Sequence, residues 1–286
     1  MHSAVLHSHI SHMEPALPKL TDNTIRLLFL GDVVGEPGRR AVSEWLPKLK
    51  EELHTDFTIV NAENSAAGRG ITPKICIGLL RAGAAVVTTG DHIWDQKEII
   101  PYFATEPRLL RPANYPAGVP GAGYLVLETK KGKVGVINLQ GRIFMNPPLD
   151  NPFPCILNVV EKVRQETSVI FVDFHAEATS EKVAMGWHLD GKVSAVVGTH
   201  THVPTADERI LPQGTAFLCD AGMCGPEDSC IGSQITPVLD RYMNSMPARF
   251  GVGTGRVRIN GVLVDVDTAT GKASHVQRVV RYWQDK

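Results

Sequence analysis

The chain has 286 residues, 43% of them hydrophobic and 21% charged, with a formal net charge of -1. That balance supports an ordinary globular core and lacks the basic surplus of a protein that grips a nucleic-acid backbone, so stable nucleic-acid binding is not expected. No apolar run approaches a membrane span, and the cysteines at 76, 155, 219, 224 and 230 form no Cys-x-x-Cys pair, which argues for free thiols in a reducing cytoplasm rather than a disulfide framework.

Residues 1–24 are polar and have neither the basic nor the apolar region of a secretory signal. They read as a disordered extension, and 25–286 as a single domain. Ile25–Leu30 is an apolar run that stops at Gly31-Asp32, the pattern of a buried strand. Helical spacing follows over about 38–53, with Val42, Trp45, Leu46 and Leu49 on one face. Phe57–Val60 is a second strand, ending at Asn61-Ala-Glu-Asn64. A helix over about 73–82 leads to a third strand, Ala84–Thr88, which ends at Gly90-Asp91-His92. Strand and helix alternate, which predicts a right-handed, largely parallel sheet with its site beyond the strand exits.

The middle of the chain reads differently. Tyr124–Leu127 and Val134–Asn138 flank Lys130-Lys-Gly-Lys133 as a hairpin, and a proline-rich loop follows, with Asn146-Pro-Pro and Asn151-Pro-Phe-Pro. Ser168–Val172 and Val193–Val197 are further strands, ending at Asp173-Phe-His175 and Gly198-Thr-His-Thr-His202. From about 254 to 282 the pattern is antiparallel around turns at Asn260-Gly261 and Thr270-Gly271. A parallel first half and an antiparallel second half point to an α/β fold of two stacked mixed sheets with outer helices.

Five strand ends deliver metal-ligand chemistry: Asp32, Glu63 with Asn64, Asp91 with His92, His175, and His200 with His202. One such residue after a strand is usually a loop cap, but the sheet would converge five on one edge. Imidazole mixed with carboxylate and no thiolate suits manganese, iron or zinc. The set is too large for one ion and suits two, which would lower the pKa of a bridging water toward neutrality and favour phosphate-ester hydrolysis. One histidine should then stay unligated as general acid. In an extended segment His200 and His202 would share a face; a loop could instead point them at two different ions. Arg142 could fork onto a phosphate or serve a structural salt bridge. His54, His188 and His275 read as packing or surface histidines, and the cysteines as filler.

These segments, together with Ala221-Gly-Met-Cys-Gly-Pro226 and Gly261-Val-Leu-Val-Asp265, resemble the bacterial YmdB-like branch of the calcineurin-type metallophosphoesterases from Ile25 to about Val280. The resemblance implies a four-layer α/β/β/α sandwich, a dinuclear iron or manganese centre, and phosphodiesterase activity on small cyclic nucleotides, notably 2′,3′-cyclic ones. It implies Asp32, Glu63, Asn64 and His202 on the first ion, Glu63 as bridge, and Asp91, His175 and His200 on the second. His92 is similar to the family's proton donor. The family usually has Asn where this chain has Asp91, and the added charge should tighten metal binding. A homo-oligomer is expected. Two other readings stay open: a metal-binding nucleotide sensor with little turnover, which Asp91 favours and His92 opposes, and a dinuclear amidohydrolase, which Asn64 and the lack of a strand-end lysine disfavour.

Overall fold

The structure is a computed structural model and describes residues 17–284. Of the extension expected over 1–24, residues 1–16 lie outside the described residues. Leu17 packs against the core, and the Pro18 carbonyl accepts a hydrogen bond from the Arg26 guanidinium at 3.0 Å. The packed chain therefore begins ahead of the boundary drawn at Ile25.

In chain order come β1 (Thr24–Leu30), β2 (Asp32–Val33), α1 (Gly35–Glu52), β3 (Phe57–Asn61), α2 (Pro73–Ala82), β4 (Val86–Thr88) and the short α3 (Ile99–Tyr102). The middle holds β5 (Tyr124–Thr129), β6 (Gly132–Gln140), α4 (Pro152–Arg164), β7 (Ile170–His175), α5 (Thr179–Leu189) and β8 (Ala195–Thr199). The remainder is β9 (Arg209–Ile210), β10 (Ala216–Leu218), β11 (Met223–Pro226), α6 (Ile235–Asn244), β12 (Val257–Asp267) and β13 (Ala273–Trp283). No helix among the described residues is long and apolar enough to cross a membrane.

The first sheet has the order β2-β11-β12-β1-β3-β4, with β13 also on β12. β1, β3 and β4 run parallel, as expected. β13 pairs along nearly all of β12 and so occupies one of its edges; β1 and β11 share the other. The second sheet has the order β5-β6-β7-β8-β10-β9. Its hairpin β5–β6 is antiparallel, while β6, β7, β8 and β10 are parallel. The antiparallel pattern read over about 254–282 is the β12–β13 pair, but the extension of antiparallel pairing to the whole second half is corrected, because parallel pairing continues to Leu218.

Three buried clusters separate four layers. Leu46, Leu49 and Leu79 of α1 and α2 pack on Leu28, Val60 and Val87 of the first sheet. Leu27, Phe29 and Ile59 meet Val136, Phe171 and Val197 between the sheets, with Phe29 and Phe171 ring centroids 5.1 Å apart. Ile156, Val160 and Met185 of α4 and α5 cover Ile137, Val172 and Val196 on the far side. Alternate residues of β1 thus face opposite clusters, as the two-residue period of a strand requires. This is the four-layer α/β/β/α sandwich that the resemblance implies.

Two local readings are also corrected. Asn151-Pro-Phe-Pro is not loop but the start of α4: the Asn151 side chain accepts from Phe153 N at 3.1 Å, and Pro152 takes the first turn, where its missing N–H costs nothing. Asn260-Gly261 is not a turn but lies inside β12. Gly261 faces Leu30 of β1, and a Cβ there would sit 2.3 Å from the Phe29 carbonyl oxygen. The glycine serves close strand approach, while Asn260 donates to Met223 O at 2.6 Å.

Candidate metal centre

The carboxyl ends of β1, β3 and β4 in one sheet and of β7 and β8 in the other open onto a common edge. Because parallel strands exit together, the polar residues that follow each apolar run are brought face to face. Glu63, Asp91, His175 and His200 each offer one ligand atom, and these atoms all lie within 4.8 Å of one another. His175 Nε2 is 3.0 Å from Glu63 Oε1 and 3.1 Å from Asp91 Oδ1. His200 Nδ1 is 3.0 Å from His175 Nε2 and 3.4 Å from Asp91 Oδ1.

Asp32 and His202 fall outside this tight group but border it. Asp32 Oδ2 accepts from His200 N at 3.1 Å, and Asp32 Oδ1 lies 3.8 Å from His175 Nδ1. Asn64 Nδ2 is 3.0 Å from both Glu63 Oε1 and His202 Nε2. His202 and His200 therefore diverge, one toward Asn64 and the other toward Asp91, as the loop alternative for this His-x-His pair requires. Their backbones explain it: both have positive φ, 95° at His200 and 66° at His202. Such conformations cost non-glycine residues on the order of 1–3 kcal/mol each and persist only where neighbours hold them.

His92 stands beside the cluster rather than in it. Its Nε2 is 3.8 Å from Asp91 Oδ2, and its Nδ1 is 3.2 Å from Asp95, which also pairs with Arg69 at 3.0 Å. Arg142 lies two residues beyond β6, where Gly141 N donates to His175 O at 2.9 Å. The buried Glu181 carboxylate takes the backbone N–H groups of Arg142 and Ile143, while the exposed Arg142 guanidinium makes no ion pair among the described residues. The salt-bridge alternative for Arg142 is therefore absent there. His188 is a packing residue: its ring is 5.3 Å from Phe153, and its Nε2 meets Phe153 O at 3.1 Å.

A second tier of partners escaped the sequence reading. His175 Nδ1 meets Thr199 Oγ1 at 2.8 Å, and that hydroxyl donates to the buried Asp173 at 2.8 Å. Thr88 and Asn61 also donate to Asp173. His200 Nε2 is 3.3 Å from Glu177, and His202 Nδ1 donates to Ile231 O at 2.8 Å. Each imidazole is thus held from behind by its other nitrogen, as metal-binding histidines are. Their types gave no signal beyond proximity in sequence, which flagged Asp173 only as a neighbour of His175.

The charges are arranged for a cation. Burial opposes ionisation of Asp91, but hydrogen bonds from His175 and His200 and the fields of His175 and His92 outweigh it and hold its carboxyl well below the ordinary range. Burial alone would lower His175, yet the field of Glu63 and the bonds to Asp91 and Glu63 raise it well above an ordinary histidine. Asp173 is pushed up to about 6 by burial, against the field of His175 and the bonds from Thr88 and Thr199. Asp32 Oδ1 is buried without a hydrogen-bond partner. A fully buried carboxylate oxygen left unpaired is expensive unless a cation reaches it. The donor set and this orphaned oxygen together fit divalent metal, with carboxylate–imidazole chemistry suited to manganese, iron or zinc.

The model of the YmdB-like protein family matches residues 28–279. The chain is 48% identical over 256 residues to the 2′,3′-cyclic-nucleotide 2′-phosphodiesterase of Bacillus subtilis (strain 168), covering 90% of this chain and 97% of that one. A crystal structure of a novel phosphatase from Mycoplasma pneumoniae superposes with a TM-score of 0.85 at 36% identity, over 92% of this chain and 95% of the other. A crystal structure of a hypothetical protein from Thermus thermophilus gives a TM-score of 0.84 at 38% identity, over 92% and 100%.

Proposed function

We propose, because the chain belongs to the YmdB-like family of phosphoester hydrolases, that it is a dinuclear metal-dependent phosphodiesterase acting on 2′,3′-cyclic nucleotides. The observation that carries the reading is the convergence of Glu63, Asp91, His175 and His200 with His92 alongside. Asp32, Glu63, Asn64 and His202 would hold one ion and Glu63, Asp91, His175 and His200 the other, with iron or manganese the metals. When bound, the pair supplies a nucleophile active near neutral pH and withdraws charge from the phosphate oxygens.

The chain's own residues supply the rest. His92 presents Nε2 toward the site with Nδ1 against Asp95, the arrangement of an acid that delivers a proton to the departing ribose oxygen. Arg142, anchored through its backbone and with no ion pair at its guanidinium among the described residues, would fork onto a phosphate. A small phosphodiester is the partner, and free thiols at all five cysteines suit a reducing cytoplasm. A second copy of the chain is the other partner: α6 exposes Ile235, Leu239, Tyr242 and Met243 along one stripe, continued by Met246.

Turnover of 2′,3′-cyclic AMP, stimulated by manganese and lowered at least ~100-fold in Asp32→Ala, is the expected result. A fully manganese-loaded protein that binds the nucleotide without hydrolysing it would instead establish the sensor reading, which the extra charge of Asp91 favours.

A further inference from the structure

The turn that carries His200 and His202 has an unfavourable backbone at both histidines, so something must hold it. His200 N is tied to Asp32, and the His202 carbonyl accepts from Met223 N at 3.1 Å. The residue between them, Thr201, has a different anchor. Its backbone N–H and its hydroxyl both donate to Asp220 Oδ2, at 3.2 and 2.7 Å. Lys182 Nζ donates to that same oxygen at 2.7 Å. Asp220 is itself fixed: its Oδ1 takes Gly222 N at 2.8 Å, and its backbone N–H donates to Thr205 Oγ1 at 2.9 Å.

Lys182 and Asp220 have side chains only 2% and 1% exposed. A buried ion pair is weak evidence for stability, because desolvation offsets most of the attraction between its partners. Two well-packed apolar residues would serve the core as well. What apolar residues could not do is accept two hydrogen bonds from the middle of a strained turn. Lys182 comes from α5, on the outer face of the second sheet, and its ammonium pairs with Asp220 and with none of the cluster residues Glu63, Asp91, His175 and His200. Its ammonium holds Asp220 Oδ2 aimed at the turn, and Asp220 keeps Thr201 in place.

We propose that Lys182 and Asp220 are positioning residues of the metal centre, a buried clamp that sets the divergence of His200 and His202 by gripping Thr201. The proposal rests on the metal-centre reading above. With the clamp weakened, the turn relaxes toward extended backbone, the two imidazoles swing toward one face, and neither ion keeps its full ligand set. Lys182 and Asp220 would then matter to metal affinity without contacting metal, substrate or reacting atoms.

Thr201→Val tests this, because it removes the hydroxyl and leaves the ion pair in the core intact; Lys182→Met strands a buried carboxylate and endangers the fold itself. Manganese titrations monitored by electron paramagnetic resonance of the free ion give affinities for the wild type, Thr201→Val and Thr201→Ser, alongside melting temperatures of the metal-free proteins. The expected result is a loss of about tenfold in manganese affinity for Thr201→Val, restored by Thr201→Ser, with metal-free melting temperatures alike in all three. Wild-type affinity in Thr201→Val, no rescue by Thr201→Ser, or an affinity loss matched by a fall in metal-free melting temperature overturns the clamp. A wild type that binds no manganese removes the metal centre itself, and is told apart by its own titration.

Discussion

At the scale of single residues, His175 concentrates the electrostatics of the site. It has no exposed atom, and one nitrogen faces both Glu63 and Asp91 while the other meets Thr199. In the metal-free protein these anions hold a proton on the ring well above the usual histidine range. In the metal-centre reading proposed above His175 must ligate as a neutral ring, so binding would release that proton. Below the raised pKa, manganese affinity should therefore tighten about tenfold for each unit of rising pH, the sign expected when the free form binds one more proton than the loaded form. Titrations at two pH values a unit apart, in the neutral range, check it; equal affinities would show that no proton leaves. Asp91 was legible as a departure from the family pattern, and its contact with both His175 and His200 gives that charge a definite address. Asn in its place should bind manganese more weakly, since the carboxylate is lost.

Among the elements, what could be read in advance divides cleanly by distance. Short apolar runs ending in Asp, Glu or His identified β1, β3, β7 and β8 and picked out the four residues that converge, Glu63, Asp91, His175 and His200, because a strand's exit residue is local information. The partners behind the cluster were not legible. Thr199 with Asp173 is separated by 26 positions and Lys182 with Asp220 by 38, and only tertiary packing brings them together. The orientation of His200 and His202 depended on backbone φ, which residue type does not fix. Asn260-Gly261 misled for a physical reason: the same glycine that permits a turn also permits close strand approach. Gly261→Ala should accordingly destabilise the protein by about 1–3 kcal/mol, since its Cβ meets a backbone oxygen that cannot rotate away. Urea unfolding measures this, and an unchanged midpoint would mean that β1 and β12 separate at no cost. The cost is one of close approach and not of backbone conformation, because Gly261 is not among the residues with positive φ, where alanine would be strained whatever the space.

For the whole molecule, the sandwich places all the chemistry on one edge and leaves α6 as an apolar surface outside it. Tyr242 and Met243 are 81% and 87% exposed, and only Val238 of the helix is buried. If this stripe is the contact between copies, Leu239→Asp combined with Met243→Asp should shift sedimentation at micromolar concentration to the monomer and leave the metal-free fold intact. Sedimentation identical to the wild type would assign the stripe elsewhere. The four-layer architecture was legible from the family resemblance more than from periodicity: the antiparallel pattern over about 254–282 is β12 with β13, but the division into a parallel and an antiparallel half missed the parallel run of β6, β7, β8 and β10. Parallel strands buried on both faces look alike whatever their neighbours' direction.

The pairing of β1 with β12 also sets a schedule. Thr24 lies opposite Asp267, so the strand that delivers Asp32 must wait for a partner made some 240 residues later, whereas the second sheet draws all its strands from 124–218. On a ribosome, the second sheet and its α4 and α5 cover can assemble while β1 is still without its antiparallel neighbour and with its edge open. Contacts of such long separation are slow to form, and an unpaired edge invites misassociation until they do. The half of the proposed ligand set that comes from the first sheet would therefore be the last part of the protein to become competent, and metal arriving with the nascent chain would find histidines before it finds a finished site.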